Sequence, residues 1–160
     1  MKKISFLVGA LVFVGVFVFG GICYGKVVFI ENSKGGVPVV IEKSDYTLSD
    51  VPKLGAEPCK GFKYGTIYKM EGLPILLNKA ELEPYGKIAT HGAPDPNVYA
   101  CYIIKGEGEM GLVDSKGNTV AKVNYTAGDV LIFRPNNLHY WKGGAQKTEI
   151  LVVQYLSPGS

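Results

Sequence analysis

The feature that most constrains the fold is a succession of short strand-like segments between Tyr64 and Leu156. Each segment is rich in β-branched and aromatic residues, and turn-forming residues such as 115–118 and 126–129 separate them. Many short strands at regular spacing predict a β-sandwich or a β-barrel, so we expect an all-β fold. The expected strands are Tyr64–Met70, Pro74–Glu83, Gly86–His91, Val98–Lys105, Glu107–Asp114, Thr119–Tyr125, Asp129–Phe133, Leu138–Lys142 and Thr148–Leu156.

The stretch Gly128–Trp141, which reads GDVLIFRPNNLHYW, joins two of these strands at a tight corner. The apolar strand Val130–Phe133 breaks at residues 135–137, and the chain then resumes with a segment that carries His139. In small β-barrels, a corner of this kind directs a side chain of the second strand into the cavity. We therefore expect His139 to face the interior.

This stretch resembles the second sequence motif of the cupin superfamily, in which a glycine is followed at a fixed distance by a histidine that points into the barrel. Gly128 and His139 hold that spacing. The segment Tyr102–Glu109, preceded by Gly86 and His91, is similar to the first motif, which commonly ends in Gly-Glu-Gly.

The resemblance covers roughly Pro74 to Leu156 and implies a double-stranded β-helix, or jelly-roll barrel. The chain departs from the second motif at two places. Arg134 stands where proline is usual, and Gly143 replaces the asparagine that often follows the histidine. These departures affect the fold less than they affect any particular activity.

The resemblance also implies a metal site, but with an incomplete set of ligands. Metal-binding cupins typically use three histidines and a glutamate. His91 matches the first histidine and His139 the last, whereas Ala93 and Tyr99 stand where the second histidine and the glutamate should be. His91 and His139 are thus the candidate ligands for a divalent transition metal such as Zn, Fe, Ni or Cu. Alternatively, they belong to a metal-free pocket with an acid/base pair.

Strand alternation places Tyr99, Cys101 and Ile103 on one face of their strand. If this face lines the cavity, Tyr99 is the candidate catalytic residue, which would donate or accept a proton. Cys101, Trp141 and Gln154 are candidate pocket-lining residues. The alternative for the aromatic side chains is a packing role in the core.

Two charged residues lie close to the motifs. Asp95 belongs to the loop 91–97, whose two prolines stiffen it, and Arg134 is the one cation near the corner at 135–137. Functional loops often rim cavities. Both residues also fit ordinary turn chemistry and a solvated corner.

The N-terminus has the organisation of a secretory signal peptide. Lys2 and Lys3 precede an uncharged apolar run over residues 4–24, and small residues stand before Lys26. The alternative is an uncleaved membrane anchor, because a helical run of this length would span a bilayer. Either interpretation places the domain outside the cytoplasm, in the periplasm, secreted, or anchored to the membrane and facing outward.

Three regions follow from these patterns. Residues 1–25 are the signal peptide or N-terminal hydrophobic helix, residues 26–63 are N-terminal strands and a wrapping arm, and residues 64–160 are the cupin-like barrel. The arm is polar from residue 43 onward, with at most a helical turn near Leu48–Val51.

Charge and cysteine content exclude some functions and leave others open. Without residues 1–25 the chain is nearly neutral, so we expect no binding to nucleic acid, which requires a clearly basic face. Cys59 and Cys101 would be in a compartment that permits disulfides. They either form one bridge or are a loop thiol and a buried thiol.

Three functional hypotheses remain at this point. The first is an extracytoplasmic metal-dependent lyase, isomerase or dioxygenase that acts on a small oxygenated molecule through His91 and His139. The second is a non-catalytic cupin that binds a small molecule, such as a sugar or an aromatic acid. The third is a structural role as a homodimeric barrel. Fold alone does not decide between them, because this fold carries many unrelated activities.

Overall fold

The computed structural model describes residues 27–32, 38–43, 46–69, 73–92 and 97–156, with the backbone only in the first two ranges. These residues form strands and turns, which confirms the expected all-β fold. The N-terminal segment expected over residues 1–25, together with Ala93 and Asp95, lies outside the described residues. Within the described ranges, no helix has the length and apolar character to cross a membrane. The strands are β1 (Val27–Asn32), β2 (Pro38–Lys43), β3 (Ser49–Asp50), β4 (Lys53–Leu54), β5 (Glu57–Pro58), β6 (Lys60–Lys69), β7 (Ile75–His91), β8 (Val98–Lys105), β9 (Glu107–Val113), β10 (Thr119–Thr126), β11 (Val130–Phe133), β12 (Leu138–Gly143) and β13 (Thr148–Tyr155).

The N-terminal part of the described chain is a hairpin followed by an arm. β1 and β2 pair antiparallel and, among the described residues, with no other strand. The helical turn considered near Leu48–Val51 is wrong. Ser49 and Asp50 instead form β3 against β6, and the N–H of Val51 donates to the carbonyl of Phe62 at 2.8 Å. The backbone groups of this polar segment form hydrogen bonds with the edge of β6 and do not form the local hydrogen bonds of a helical turn.

β7 is one strand of 17 residues where the sequence predicts two. Residues 84–86, Pro-Tyr-Gly, look like a break because proline cannot donate to a sheet ladder. In the structure Tyr85 takes a positive φ of 55°, and its N–H donates to the carbonyl of Gly144 at 2.9 Å. The strand continues through this point and changes partners, from β13 before it to β12 after it.

The main sheet is curled. Its order is β10-β9-β12-β7-β13-β8-β11, with β6 on β7 and β3 on β6. Phe133 in β11, at one end of this order, nevertheless stacks on His139 in β12, with ring centroids 4.0 Å apart. The two halves of the sheet therefore face each other and enclose one core. Its buried apolar residues are Phe62, Ala80, Leu82, Ile88, Cys101, Ile103, Met110, Tyr125, Phe133, Trp141, Ile150 and Val152.

β8 shows the alternation that the sequence predicts. Cys101 and Ile103 are buried, whereas Tyr102 and Ile104 are exposed on the outer face. Tyr99 shares the inner face and packs against the core. One face of β8 thus supplies a wall of the interior, and the other supplies part of the outer surface.

Candidate functional site

The barrel contains a cavity of about 350 Å³. It is lined by residues of β4, β6, β7, β8, β12 and β13, and by Val51 of the arm. No charged side chain lines it among the described residues. The lining residues are Val51, Leu54, Phe62, Tyr64, Ala80, Ile88, His91, Gly92, Tyr99, Cys101, Trp141, Ile150, Val152 and Gln154.

The two histidines lie side by side: His91 lines the cavity, and His139 is buried behind it. His91 at the end of β7 and His139 in β12 are register partners, and their ring centroids are 4.4 Å apart. Nδ1 of His91 lies 2.8 Å from the carbonyl oxygen of Ala89, and Nδ1 of His139 lies 2.9 Å from that of Asn137. A carbonyl oxygen only accepts hydrogen bonds, so each Nδ1 carries the proton. Each Nε2 is left with a lone pair.

The hydroxyl of Tyr99 takes one of these lone pairs. It lies 2.8 Å from Nε2 of His139, and because this nitrogen accepts, the phenol donates. Phe133 holds both partners in place, since its ring stacks on Tyr99 with centroids 4.9 Å apart and on His139. Nε2 of His91 has no hydrogen-bond partner among the described residues, and His91 lines the cavity.

Burial keeps the ionisable groups of the site neutral. The pKa of His139 is lowered to about 3, first by burial and second by the neighbouring His91. Burial also lowers the pKa of His91. In the opposite direction, burial raises the pKa of the Cys101 thiol to about 12 and raises that of Tyr99, with smaller contributions from Cys101 and Tyr64. Near neutral pH the site therefore offers neutral imidazoles, a protonated phenol and a protonated thiol.

This donor set does not fit a divalent metal. Structural and catalytic sites in proteins use at least three donors, and no group of three His, Cys, Asp or Glu side chains occurs in the part of the chain that the structure describes. The third group present, the Tyr99 phenol, is protonated and donates to His139, whereas ligands must be deprotonated. A metal would have to displace this hydrogen bond and would still have only two imidazoles.

The remaining candidate residues fall into two groups. Cys101, Trp141 and Gln154 line the cavity with Tyr99 and His91. Arg134 is exposed and is not one of the residues that line the cavity. Its backbone N–H donates to Oδ1 of Asn137 in the corner, at 3.1 Å. The structure thus separates Arg134 from the site and brings the other candidates together.

Cys59 and Cys101 are free thiols, so the structure has no bridge between them. Cys59 receives a hydrogen bond from the N–H of Ala89 at 3.3 Å, next to the segment that carries His91. Cys101 is buried in the cavity wall. Of the two alternatives that the sequence leaves open, a disulfide or two separate thiols, the structure has the two separate thiols.

Sequence reasoning missed the wall that the arm and β6 provide. Val51, Leu54, Phe62 and Tyr64 line the cavity. All four lie in or next to the polar segment 43–63, where single apolar residues are separated by charged and turn-forming ones. The only signal was that these isolated apolar residues occur in an otherwise polar stretch.

Comparison with known proteins agrees with this architecture. The sequence model of the Cupin family matches residues 69–159, which is more than half of the chain. The chain belongs to the cupin family. A comparison with curated proteins finds no match.

Several solved cupin structures are similar to this one. A polyketide cyclase from Streptomyces resistomycificus has a TM-score of 0.59 at 16% identity, covering 75% of this chain and 80% of its own. A predicted oxalate decarboxylase from Thermotoga maritima has a TM-score of 0.57 at 21% identity, covering 71% and 95%. The oxalate decarboxylase of Bacillus subtilis, which is described as having Mn(II) centres, has a TM-score of 0.55 at 20% identity, covering 73% and 29%. At these identities the likeness shows the fold alone.

Proposed function

We propose that this cupin binds a small, neutral aromatic molecule in its cavity without a metal ion. The observation that carries the proposal is the hydrogen bond from Tyr99 to Nε2 of His139, within a cavity that no charged side chain lines among the described residues. Nε2 of His139, which a metal would need as a ligand, already accepts the hydrogen bond from Tyr99. What remains is a largely apolar cavity with a few polar atoms, the usual form of a small-molecule site.

The cavity lining favours an aromatic ligand over a sugar. Phe62, Tyr64, Tyr99 and Trp141 contribute rings to the wall, and aromatic pairs gain energy beyond the area that they bury. A sugar would instead lose hydrogen bonds to water at each hydroxyl that the wall cannot satisfy. An apolar cavity of about 150 Å³ is sufficient for benzene, so the volume present here accommodates a substituted ring.

Nε2 of His91 sets the polar requirement of the ligand. Because its Nδ1 donates to Ala89, Nε2 is an acceptor, and a ligand hydroxyl can donate to it. The amide of Gln154 supplies a further donor and acceptor in the wall. A ring with one hydroxyl group matches this arrangement.

The same features disfavour the aromatic acid and the metal-dependent reactions considered from the sequence. A carboxylate in the cavity would be desolvated without a cation to compensate for the loss of hydration. A metal-dependent lyase, isomerase or dioxygenase would need donors that the described residues do not bring together. We therefore favour neutral ligands and no metal-dependent step.

The test uses Trp141 as a reporter. It is the one tryptophan of the chain, and it lines the cavity, so its fluorescence monitors this site. The full-length protein is titrated with benzyl alcohol, toluene and benzoate in the presence of a chelator. We expect saturable binding of benzyl alcohol, with benzoate weaker by at least about tenfold, or roughly 1.4 kcal/mol.

A matched variant separates the hydroxyl contact from the apolar contacts. His91→Phe keeps a planar ring and removes the acceptor, so the affinity for benzyl alcohol should fall about fivefold or more while that for toluene changes little. Stronger binding of benzoate than of benzyl alcohol, or binding that appears only after a metal is added, would refute the proposal.

We also propose that the domain works outside the cytoplasm. The support is the order of Lys2 and Lys3, the apolar run over residues 4–24, and the small residues before Lys26. The test is fractionation of expressing cells together with N-terminal sequencing of the mature chain. A chain that starts near Lys26 indicates cleavage, an intact chain in the membrane fraction indicates an anchor, and an intact chain in the cytoplasm contradicts the proposal.

A further inference from the structure

Asn78 in β7 has a buried amide group whose oxygen is paired and whose nitrogen is not. The residue is 1% exposed. Its Oδ1 accepts a hydrogen bond from the hydroxyl of Thr66 at 2.9 Å, whereas its Nδ2 has no hydrogen-bond partner among the described residues. Buried donors are almost always paired, and an unpaired one lowers the stability of the fold. The Nδ2 group is therefore a candidate contact for a bound molecule.

Asn78 lies on the inner face of the barrel. Along β7, Asn78, Ala80 and Leu82 are buried, whereas Lys79 and Glu81 alternate with them and form an ion pair at 3.0 Å. Ala80 lines the cavity. The amide of Asn78 is thus on the side of β7 that faces the cavity, and the charged side chains are on the other side.

The neighbours of Asn78 on this face are residues of the cavity wall. Val152 in β13 is directly opposite Asn78, so Gln154 is its diagonal neighbour. On the other side, Tyr64 in β6 is opposite Ala80 and is also diagonal to Asn78. Diagonal neighbours lie about 7–8 Å apart, which long side chains can span. All four neighbours line the cavity, and Asn78 lies directly behind them.

Two of these neighbours bring further polar groups that the protein does not pair. The hydroxyl of Tyr64 and the side-chain amide of Gln154 make no hydrogen bond among the described residues. Burial, with a smaller contribution from Cys101, raises the pKa of Tyr64 to about 12, so its hydroxyl stays protonated near neutral pH. We call Tyr64, Asn78 and Gln154 the Asn78 site. All three side chains can donate a hydrogen bond.

We propose that the Asn78 site binds a neutral carbonyl oxygen of the ligand, which makes the ligand an aromatic ketone, aldehyde, amide or ester. The proposal rests on the aromatic ligand proposed above and adds a second polar contact to the hydroxyl contact at His91. A carbonyl oxygen has two lone pairs, so it accepts from Asn78 and from one neighbour. Because Nδ2 is covered in the structure, the unpaired side chain of Gln154 moves aside when the carbonyl enters.

The alternatives to a carbonyl fit this site less well. A hydrocarbon would leave Nδ2 of Asn78 buried without a partner. A carboxylate would accept the same hydrogen bonds, but no charged side chain lines the cavity among the described residues, so its lost hydration would not be compensated. The Asn78 site thus determines specificity for an uncharged acceptor.

The experiment compares two ligands of the same shape. Acetophenone carries a carbonyl group, and α-methylstyrene has a methylene group in place of the carbonyl oxygen. Their affinities for the full-length protein are measured by isothermal titration calorimetry in the presence of a chelator. Asn78→Leu removes the donor at nearly constant side-chain volume. We expect this variant to lose at least about fivefold in affinity for acetophenone relative to α-methylstyrene.

Asn124→Leu is the matched control. Asn124 is exposed on β10 and does not line the cavity, so the same chemical change there should leave both affinities unchanged. An equal effect of Asn78→Leu on the two ligands overturns the carbonyl contact and leaves the aromatic ligand in place. Failure of both ligands to bind the parent refutes the proposed function and this inference with it.

A second measurement uses the parent protein and does not depend on the folding of a variant. The side-chain amide signals of Asn78 are followed by nitrogen–proton correlation NMR while each ligand is added. Acetophenone should move an Nδ2 proton to lower field, as a new hydrogen bond does, and α-methylstyrene should not. Equal shifts with both ligands, or an Nδ2 group that stays in contact with a bound water when acetophenone is present, would overturn the proposal.

Discussion

The hydroxyl of Tyr99 lies 2.8 Å from Nε2 of His139, and this bond determines the chemistry that the cavity can offer. It joins β8 to β12, two strands that are not neighbours in the sheet. A buried imidazole needs a partner for each ring nitrogen, and here the Asn137 carbonyl and the Tyr99 phenol supply them. Both ring nitrogens of His139 are thus paired within the protein, whereas Nε2 of His91 is left for a ligand.

Removing this hydroxyl should destabilise the protein. Tyr99→Phe leaves Nε2 of His139 buried without a donor, which costs about 1–3 kcal/mol. The measurement is the free energy of unfolding from denaturant titration near neutral pH. Tyr64→Phe is the matched control, because its hydroxyl is in the same wall and makes no hydrogen bond among the described residues. Equal losses in the two variants would contradict a specific role for the Tyr99 bond.

Replacing Tyr99 by a metal ligand should create a metal site. Tyr99→His would place a third imidazole beside His91 and His139, and three imidazoles are a donor set that binds zinc. We expect the variant, and not the parent, to bind Zn or Ni, measured by isothermal titration. Tyr64→His is the control, since it adds an imidazole elsewhere in the wall. Failure of Tyr99→His to bind either metal would show that the two histidines are not oriented toward a common point.

Much of the fold could be predicted from the sequence, because it depends on local patterns. The alternation along β8 placed Tyr99, Cys101 and Ile103 on one face and Tyr102 and Ile104 on the other, and in the structure the first of these faces is the inner one. The continuity of β7 could not be predicted from the sequence. The strand continues past Pro84 because the N–H of Tyr85 donates to the carbonyl of Gly144, which is distant in the sequence.

The residues of the site could be predicted from the sequence, but the hydrogen bonds between them could not. The resemblance to cupins selected His91, His139 and Tyr99, but it assigned the histidines to a metal. The hydrogen bond that argues against this joins residues 40 positions apart, and its donor and acceptor follow from the Nδ1 contacts to Ala89 and Asn137. No sequence pattern encodes such a tautomer.

The stability of the protein should fall as the pH falls below the ordinary pKa of histidine. In the folded chain the pKa of His139 is about 3 and that of His91 is also lowered, whereas the ordinary pKa of a histidine is 6.5. Below pH 6.5 the unfolded chain therefore takes up protons that the folded chain does not. Each histidine contributes a slope of up to about 1.4 kcal/mol per pH unit. The window ends toward pH 4.5, where carboxyl groups such as Glu81 begin to contribute.

The measurement of this effect is the free energy of unfolding between about pH 7.5 and about pH 5. His139→Gln keeps a side-chain acceptor for Tyr99 and does not titrate, so this variant should show a smaller loss over the same window. A parent whose stability is constant across the window would contradict the neutral, buried state of the two histidines.

Two glycines with similar backbone conformation should respond differently to alanine. Gly106 and Gly117 have φ values of +89° and +87°, but a Cβ on Gly106 would lie 2.6 Å from the carbonyl oxygen of Lys147, whereas one on Gly117 would meet nothing within 4 Å. Gly117→Ala should cost about 1–2 kcal/mol from backbone strain alone. Gly106→Ala should cost about 1–3 kcal/mol more from the clash.

Thermal and denaturant unfolding of the two glycine variants measure this difference. A larger loss of stability in Gly106→Ala would show that the first glycine of the Gly-Glu-Gly motif is required for close packing at the start of β9. Equal losses would show that the Lys147 backbone moves aside.

The most direct test of the central claim is the metal content of the parent protein. The full-length chain is incubated in turn with Zn, Fe, Ni, Cu and Mn, passed through a desalting column, and examined by elemental analysis beside the His91→Ala/His139→Ala double variant. Because Tyr99 already occupies Nε2 of His139, we predict well below about one tenth of an equivalent of any metal in both proteins. A metal near one equivalent in the parent that is lost in the double variant would contradict the account and restore a two-histidine metal site.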